Sequence, residues 1–431
     1  MSETRVPDAV RWGAPVASGA VDGRVGLPGS KSMTARALVL SAAARTAGSL
    51  ADPLAARDTA LMAAALRALG IRVDTTNEAL WTIEPRPLSG PATVDCGLAG
   101  TVMRFLPPLA ALADGRVDFD GDPHARKRPM GPLLRALTAL GVRLDGDRAS
   151  LPFSILGSGR VTGGEVTVDA SASSQLVSGL LLSAPRFDRG LVLRHVGPPV
   201  PSAPHLRMTV DMLRATGATV DDSRPDVWEV GPCLADGRGW DIEPDLSNAA
   251  PFLAAAVATG GTVTIPGWPA RTSQPGDALR GLLDALGATV GFGPDGLTVA
   301  GTGTITGIDA DLSEVGELTP VVAALCALAD SPSRLSGIAH LRGHETDRLA
   351  ALATELNRLG GDVAETDDGL RIRPRPLRAA VFDTYDDHRM AQAGAVLGLV
   401  VPGLELSDVA CTSKTLPDFP DLWAALVGAR P

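Results

Sequence analysis

Aromatic side chains are scarce, 3 % of 431 residues, and there is one tyrosine, Tyr385. Single-stranded nucleic acid is held on stacks of such rings, so that class of partner is excluded. Basic residues are outnumbered too: 39 Lys and Arg stand against 49 Asp and Glu, for a net charge of −10. A chain of that sign repels phosphate backbones as a whole, and any basic patch must be local, a pocket for a small anion. The four cysteines, Cys96, Cys233, Cys326 and Cys411, lie far apart with no CxxC pair. That spacing excludes a disulfide framework and a zinc ribbon and fits reduced thiols in a cytosol. Apolar runs are short, the Val321 to Ala329 run being nine residues, and the opening MSETRVPDAVRW has no apolar stretch. A membrane-spanning helix needs about 18 or more. A cytoplasmic protein with no membrane or nucleic-acid partner is expected.

What is present is an aliphatic chain, 45 % hydrophobic, too long for one core and long enough for two domains. One phrase recurs: LRALGIRV, LTALGVRL, LRATGATV, LDALGATV and LNRLGGDV, with its glycine at Gly70, Gly141, Gly217, Gly287 and Gly360. It reads as the end of an amphipathic helix, a glycine in the left-handed region, then a strand. A second phrase keeps the same period, a polar or glycine turn opening an alanine- and leucine-rich helix. It occurs at Gly29–Ser32, Ala99–Thr101, Ser173–Gln175, Ser247–Asn248, Gly316–Glu317 and Asp386–Arg389. Valine-rich segments such as VTVDA and GTVTIPG lie between them and read as strands. Six α/β units follow, three to a domain, with crossings expected in Gly19–Gly29 and in DIEPDLSN, Asp241–Asn248.

The first of those helix starts, LPGSKSMTARAL, carries Lys31 and Arg36. A helix N-terminus already bears partial positive charge, so cations there oppose the dipole by about 0.3 to 1 kcal/mol each. Arg104, Arg348 and Arg389 repeat the placement. Polar helix starts are ordinarily caps, the reading that suits Ser247–Asn248, but five such cations in an acidic chain point to an anion. Ser32 and Arg36 share a helix face, and free N–H groups, a hydroxyl, an ammonium and a guanidinium together make a phosphate or carboxylate site. A Walker A loop is unlike this, because Ser30 separates Gly29 from Lys31. HARKRP, His124–Pro129, adds three cations and by itself reads as a solvated run. HLRGHETDR, His340–Arg348, has a His-x3-His spacing without a third metal ligand nearby, and Glu345 and Arg348 can pair at i, i+3.

LPGSKSMTARAL, LAGTVMRF, RKRPM, DASASSQLVSGLL, ETDRL, DDHRMA and KTLPDF, in this order from about Gly23 to Pro420, resemble the EPSP synthase family. The resemblance implies a two-domain inside-out α/β barrel, each domain built from three βαβαββ units. Residues 23–243 would form the shikimate 3-phosphate side, residues 1–22 with 244–431 the phosphoenolpyruvate side, and the active site would lie in the cleft. It implies transfer of the enolpyruvyl group of phosphoenolpyruvate to the 5-hydroxyl of shikimate 3-phosphate, through a tetrahedral intermediate that expels phosphate. No metal or organic cofactor is implied, and a monomer is expected. By motif match, Lys31, Ser32, Arg36, Ser173, Ser174, Gln175 and Ser202 would bind shikimate 3-phosphate. Lys31, Gly100, Arg128, Gln175, Arg348, Arg389 and Lys414 would hold phosphoenolpyruvate. Glu317 and His344, which also face the shikimate ester, would share proton transfer with Lys31.

The chain departs from the family's pattern at Leu98, where Asn is frequent, at Phe105 for Pro, at His205 for Tyr, at Glu317 for Asp and at His344 for Lys. Two other functions are weighed against this reading. A UDP-N-acetylglucosamine enolpyruvyl transferase would share fold and donor but commonly has a reactive cysteine where this chain reads HARKRP. A non-catalytic phosphometabolite-binding protein would keep the cations and gain nothing from Glu317.

Overall fold

The five recurring glycines all lie in the left-handed region, with φ of 94° at Gly70, 90° at Gly141, 89° at Gly217, 95° at Gly287 and 96° at Gly360. Each ends a helix whose next strand turns back, the geometry that a residue without a Cβ adopts without strain. The structure is a computed structural model that describes residues 11–428. It has twelve α-helices among those residues: α1 Lys31–Ala42, α2 Arg57–Ala68, α3 Gly100–Ala110, α4 Gly131–Ala139, α5 Gln175–Ser183, α6 Ala203–Ala215, α7 Ala250–Thr259, α8 Leu279–Ala285, α9 Thr319–Ala327, α10 Arg348–Arg358, α11 His388–Gly398 and α12 Phe419–Val427. The five glycines follow α2, α4, α6, α8 and α10, and Gly428 (φ 72°) closes α12 in the same way.

The chain forms two compact units. Residues 28–243 make one, which we call the shikimate-side unit, and residues 11–27 with 244–428 are the described part of the other, the phosphoenolpyruvate-side unit; the labels keep the sequence expectation. The expected boundary at residue 23 moves to 27/28, because the strand Asp22–Arg24 pairs in parallel with Thr262–Ile265 and belongs to the second sheet system. The other crossing falls at 243/244, inside DIEPDLSN.

In the shikimate-side unit, three four-stranded sheets repeat one plan, a parallel pair followed by two antiparallel strands. One begins with Gly239–Asp241 beside Gly48–Ala51, the next with Ala92–Asp95 beside Asp114–Asp120, the third with Gly164–Val168 beside Leu191–His195. The first sheet thus takes its lead strand from the far end of the unit. VTVDA and GTVTIPG are strands as expected, Gly164–Val168 and Thr262–Ile265. The other unit repeats the plan twice, around Thr262–Ile265 and around Asp309–Asp311 with Ser333–Ser336. Its third sheet has three strands, Val381–Phe382, Glu405–Leu406 and, antiparallel at the edge, Trp12–Gly13.

Helices alternate in character because their residues do. Every residue of α3, α9 and α11 is buried, and α7, APFLAAAVAT, has no charge at all. A helix apolar all round must lie inside. So α1, α3 and α5 pack on one another in one unit, and α7, α9 and α11 in the other. The remaining helices show one apolar stripe and cover the sheets. Polar residues at the starts of the inner helices are thereby brought to one end of each core.

Candidate active site

In the shikimate-side unit, Ser30 caps α1, its hydroxyl accepting from the Met33 amide at 3.4 Å, so Lys31 is the first helical residue as its motif requires. Lys31 Nζ lies 3.6 Å from Asp58 Oδ2, at the start of α2. Asp58 is a partner that sequence reading missed, since nothing local links a residue 27 positions on. Ser32 Oγ meets His205 Nε2 at 3.4 Å. The histidine at a family departure therefore meets the expected ligand hydroxyl.

Arg36 is 1 % exposed. Its Nη1 donates to Ser32 O at 2.9 Å, its Nε to Thr209 Oγ1 at 2.8 Å, and its Nη2 to His205 O at 3.0 Å and Ser178 Oγ at 3.3 Å. The ring of Phe105 lies 5.1 Å from its guanidinium carbon, a cation–π contact that the family's proline could not make. Arg36 thus ties α1 to α5 and α6, and fixes the carbonyls of Ser32 and His205.

Gly100 opens α3 amid three polar side chains. A Cβ there would stand 2.8 Å from Gln175 Oε1, 3.0 Å from Arg104 Nη1 and 3.1 Å from Arg128 Nη2. Arg104 donates to Gln175 at 3.1 Å, and Arg128 Nη1 donates to Leu98 O at 3.2 Å. Leu98, where Asn is frequent, therefore serves Arg128 through its backbone. Of the HARKRP cations, Arg128 turns inward, 9 % exposed, while Arg126 makes a surface pair with Asp120. Arg128 Nε is buried without a hydrogen-bond partner among the described residues, which is costly unless a ligand supplies an acceptor. Ser174 precedes α5 without capping it, and the Ser173 hydroxyl accepts from the Gln175 amide at 3.3 Å. Ser202 sits before α6 with φ 56° and ψ 49°, a left-handed conformation that L-residues adopt at a cost of about 1 to 3 kcal/mol and keep chiefly at functional positions.

The phosphoenolpyruvate-side unit gathers the rest. Asp387 caps α11, is 0 % exposed, and accepts from the Arg389 amide at 2.9 Å. The same carboxylate takes Arg348 bidentately, from Nε at 2.7 Å and Nη2 at 3.0 Å. Arg348 Nη2 also donates to Glu345 Oε2 at 3.0 Å, the i, i+3 pair expected from sequence, and Nη1 meets His344 Nδ1 at 3.2 Å. Burial works against the charge on Arg348, but Asp387, Glu345 and Glu317 outweigh it and raise its pKa, so the guanidinium stays charged. Lys414 Nζ pairs with Glu345 Oε1.

Arg389 joins the starts of all three inner helices. Its Nη1 donates to Ser247 O at 2.8 Å and Gln392 Oε1 at 3.1 Å and reaches Asn248 Oδ1 at 3.4 Å. Its Nη2 lies 3.5 Å from Glu317 Oε2. Its Nε is buried without a hydrogen-bond partner among the described residues. Ser247–Asn248 is not the cap expected: Ala249 holds that position, and Asn248 instead donates to Thr415 O at 3.1 Å. His340 stands over the Glu317 turn, where a Cβ on Gly316 would fall 2.6 Å from its Nε2. Burial, then the neighbouring Arg348, pushes the His340 pKa down to about 4, leaving the ring neutral. No group of three or more His, Cys, Asp or Glu among the described residues is arranged to hold a metal ion.

Each unit thus gathers buried guanidinium groups at helix starts, and one of the two sets a carboxylate beside them. Known proteins are similar to this chain over nearly its whole length. The family model for EPSP synthase (3-phosphoshikimate 1-carboxyvinyltransferase) matches residues 16–423. A 3-phosphoshikimate 1-carboxyvinyltransferase from Kocuria rhizophila is 56 % identical, with 97 % of each chain covered. Among solved structures, an EPSP synthase from Acinetobacter baumannii superposes with a TM-score of 0.77 at 23 % identity, covering 96 % of this chain and 97 % of its own. The enolpyruvyl transferase NikO from Streptomyces tendae does so with a TM-score of 0.75 at 19 % identity, with the same coverage. These two likenesses bear on the fold, and that fold is the two-domain inside-out α/β architecture expected from the motifs. On the strength of the full-length match and the sequence identity, the chain belongs to the EPSP synthase family.

Proposed function

We propose that the residues assembled above carry out the reaction of this family. The chain is a 3-phosphoshikimate 1-carboxyvinyltransferase: it transfers the enolpyruvyl group of phosphoenolpyruvate to the 5-hydroxyl of shikimate 3-phosphate and releases phosphate. Lys31, Ser32, Arg36, Ser173, Ser174, Gln175 and Ser202 bind the shikimate ester. Gly100, Arg128, Gln175, Arg348, Arg389 and Lys414, with Lys31, bind phosphoenolpyruvate. Bidentate guanidinium groups suit its carboxylate and phosphate. Gly100 leaves the room that a side chain would fill.

The hydroxyl adds to C2 of phosphoenolpyruvate while a proton is placed on C3. The tetrahedral adduct then loses a proton from the new methyl group and expels phosphate. Glu317 and His344 are the groups of this chain suited to move those protons, with Lys31 beside them in role. The observation that carries the reading is the 3.5 Å contact between Glu317 and Arg389. Asp387 and Glu345 are taken up in holding Arg348 and Lys414, whereas the Glu317 side chain is 26 % exposed and is left accessible as the acid/base group needed wherever a carbon is protonated. Cytoplasmic location and a monomeric state belong to the same proposal, and no helix among the described residues is long and apolar enough to cross a membrane.

The test is release of inorganic phosphate on mixing the purified protein with phosphoenolpyruvate and shikimate 3-phosphate. Turnover with this pair supports the reading. Turnover only when UDP-N-acetylglucosamine replaces the shikimate ester would overturn it.

A further inference from the structure

Three residues before α11 the backbone does something expensive. Tyr385 and Asp386 have φ of 53° and 54°, and the Asp387 amide donates back to Thr384 O at 2.8 Å. Two consecutive residues at positive φ closed by an i to i+3 bond are the pattern of a type I′ turn, which favours Asn and Gly. Tyrosine is poorly suited to it. Such strain persists where the surroundings over-determine the conformation.

They do so here through two carboxylates, those of Glu355 and Asp383. Glu355, on α10, is 0 % exposed. Its Oε1 accepts from the Tyr385 hydroxyl at 2.7 Å, and its Oε2 accepts from the Asp383 amide at 3.0 Å and from Arg358 Nη1 at 2.8 Å. Asp383 Oδ1 in turn accepts from the Tyr385 amide at 3.1 Å and from Ser407 Oγ at 3.0 Å, and Ser407 Oγ accepts from the Thr384 amide at 3.0 Å. Burial, then the bond to Glu355, pushes the Tyr385 pKa up to about 12, so the hydroxyl keeps its proton and stays a donor.

The residue that leaves this turn is Asp387, whose carboxylate takes Arg348 at 2.7 Å and the Arg389 amide at 2.9 Å. Neither Glu355 nor Tyr385 is among the residues assigned to either substrate. We propose that Glu355 and Tyr385 are positioning residues: the buried carboxylate anchors the tyrosine, the tyrosine holds the left-handed turn, and the turn aims Asp387 at the Arg348 guanidinium and at the backbone amide of Arg389, two residues of the phosphoenolpyruvate clamp. This rests on the assignment of Arg348 and Arg389 to phosphoenolpyruvate made above.

Steady-state phosphate release separates this role from a merely structural one. Tyr385→Phe removes the anchor's hydroxyl and keeps the ring. It should raise the KM for phosphoenolpyruvate about tenfold and leave that for shikimate 3-phosphate within twofold. Glu355→Gln puts an amide nitrogen where an acceptor is needed and should shift the same constant in the same direction. Asp386→Gly relieves strain at the exposed second position of the turn, so adding it to Tyr385→Phe should recover most of the lost affinity. An unchanged KM for phosphoenolpyruvate in both single variants, an equal rise for both substrates, or no recovery in the double variant overturns the proposal. Wild-type protein that releases no phosphate from this substrate pair overturns the functional reading instead, so the two failures are distinct.

Discussion

Glu317 lies in a short 3-10 turn beside Arg389, and its substitution separates binding from chemistry. Glu317→Gln keeps size and polarity but has no acid/base function. Turnover should fall by roughly 10² to 10⁴, with shikimate 3-phosphate still bound in a calorimetric titration. A variant with near-normal turnover would remove Glu317 from the mechanism. His340 tests the electrostatics of the same turn. Its folded pKa of about 4 lies below the value of about 6.5 expected in the unfolded chain. Between those values the unfolded chain binds the extra proton, so this histidine costs stability as the pH falls from 6.5 towards 4. His340→Gln should therefore lose less stability across that window than wild type in urea unfolding at a series of pH values. An identical slope in both proteins would show that the ring titrates normally.

At the scale of one element, α3 begins with a glycine because three polar side chain ends crowd its first turn. All three neighbours of an added Cβ, from Gln175, Arg104 and Arg128, are tips of flexible side chains, and alanine is a better helix former than glycine by about 1 kcal/mol. Gly100→Ala should thus keep its melting temperature within a few degrees while displacing Arg128 and Gln175. The KM for phosphoenolpyruvate should rise by roughly 10- to 100-fold, and a rise of less than twofold would show that the first turn of α3 does not face the donor. The helix starts were legible in the sequence because cations against a helix dipole are conspicuous in a short window. Their supports were not. Asp58 behind Lys31, Thr209 behind Arg36 and Glu355 behind Tyr385 are 27, 173 and 30 residues away from the groups they hold, and only the folded chain brings such pairs together. The burial of Arg36 escaped for the same reason, since its partners Thr209, Ser178 and His205 meet it only in the folded chain.

For the molecule as a whole, the sixfold plan was readable because each repeat spends a glycine in one required conformation. The crossings expected in Gly19–Gly29 and Asp241–Asn248 contain those at 27/28 and 243/244, and only the finer boundary at residue 23 differs, because the pairing of Asp22–Arg24 with Thr262–Ile265 is not visible in the sequence. Residues 28–243 contain every strand of their own three sheets, the borrowed lead strand Gly239–Asp241 included. That segment expressed alone should unfold cooperatively in urea and show dispersed amide resonances. Residues 244–428 alone lack Asp22–Arg24 and Trp12–Gly13, which leaves two sheets with an unpaired edge, and should aggregate. A soluble, cooperative 244–428 fragment would contradict this division.

The same thread of chain imposes an order on biosynthesis. Asp22 meets Thr262 across 240 residues, its carboxylate accepting from that amide at 2.8 Å. At a ribosomal rate of about 5 to 20 residues per second, the leading segment waits on the order of tens of seconds for its sheet to be made. During that interval a nascent strand edge is exposed, and the contiguous unit has time to fold before its interrupted neighbour begins.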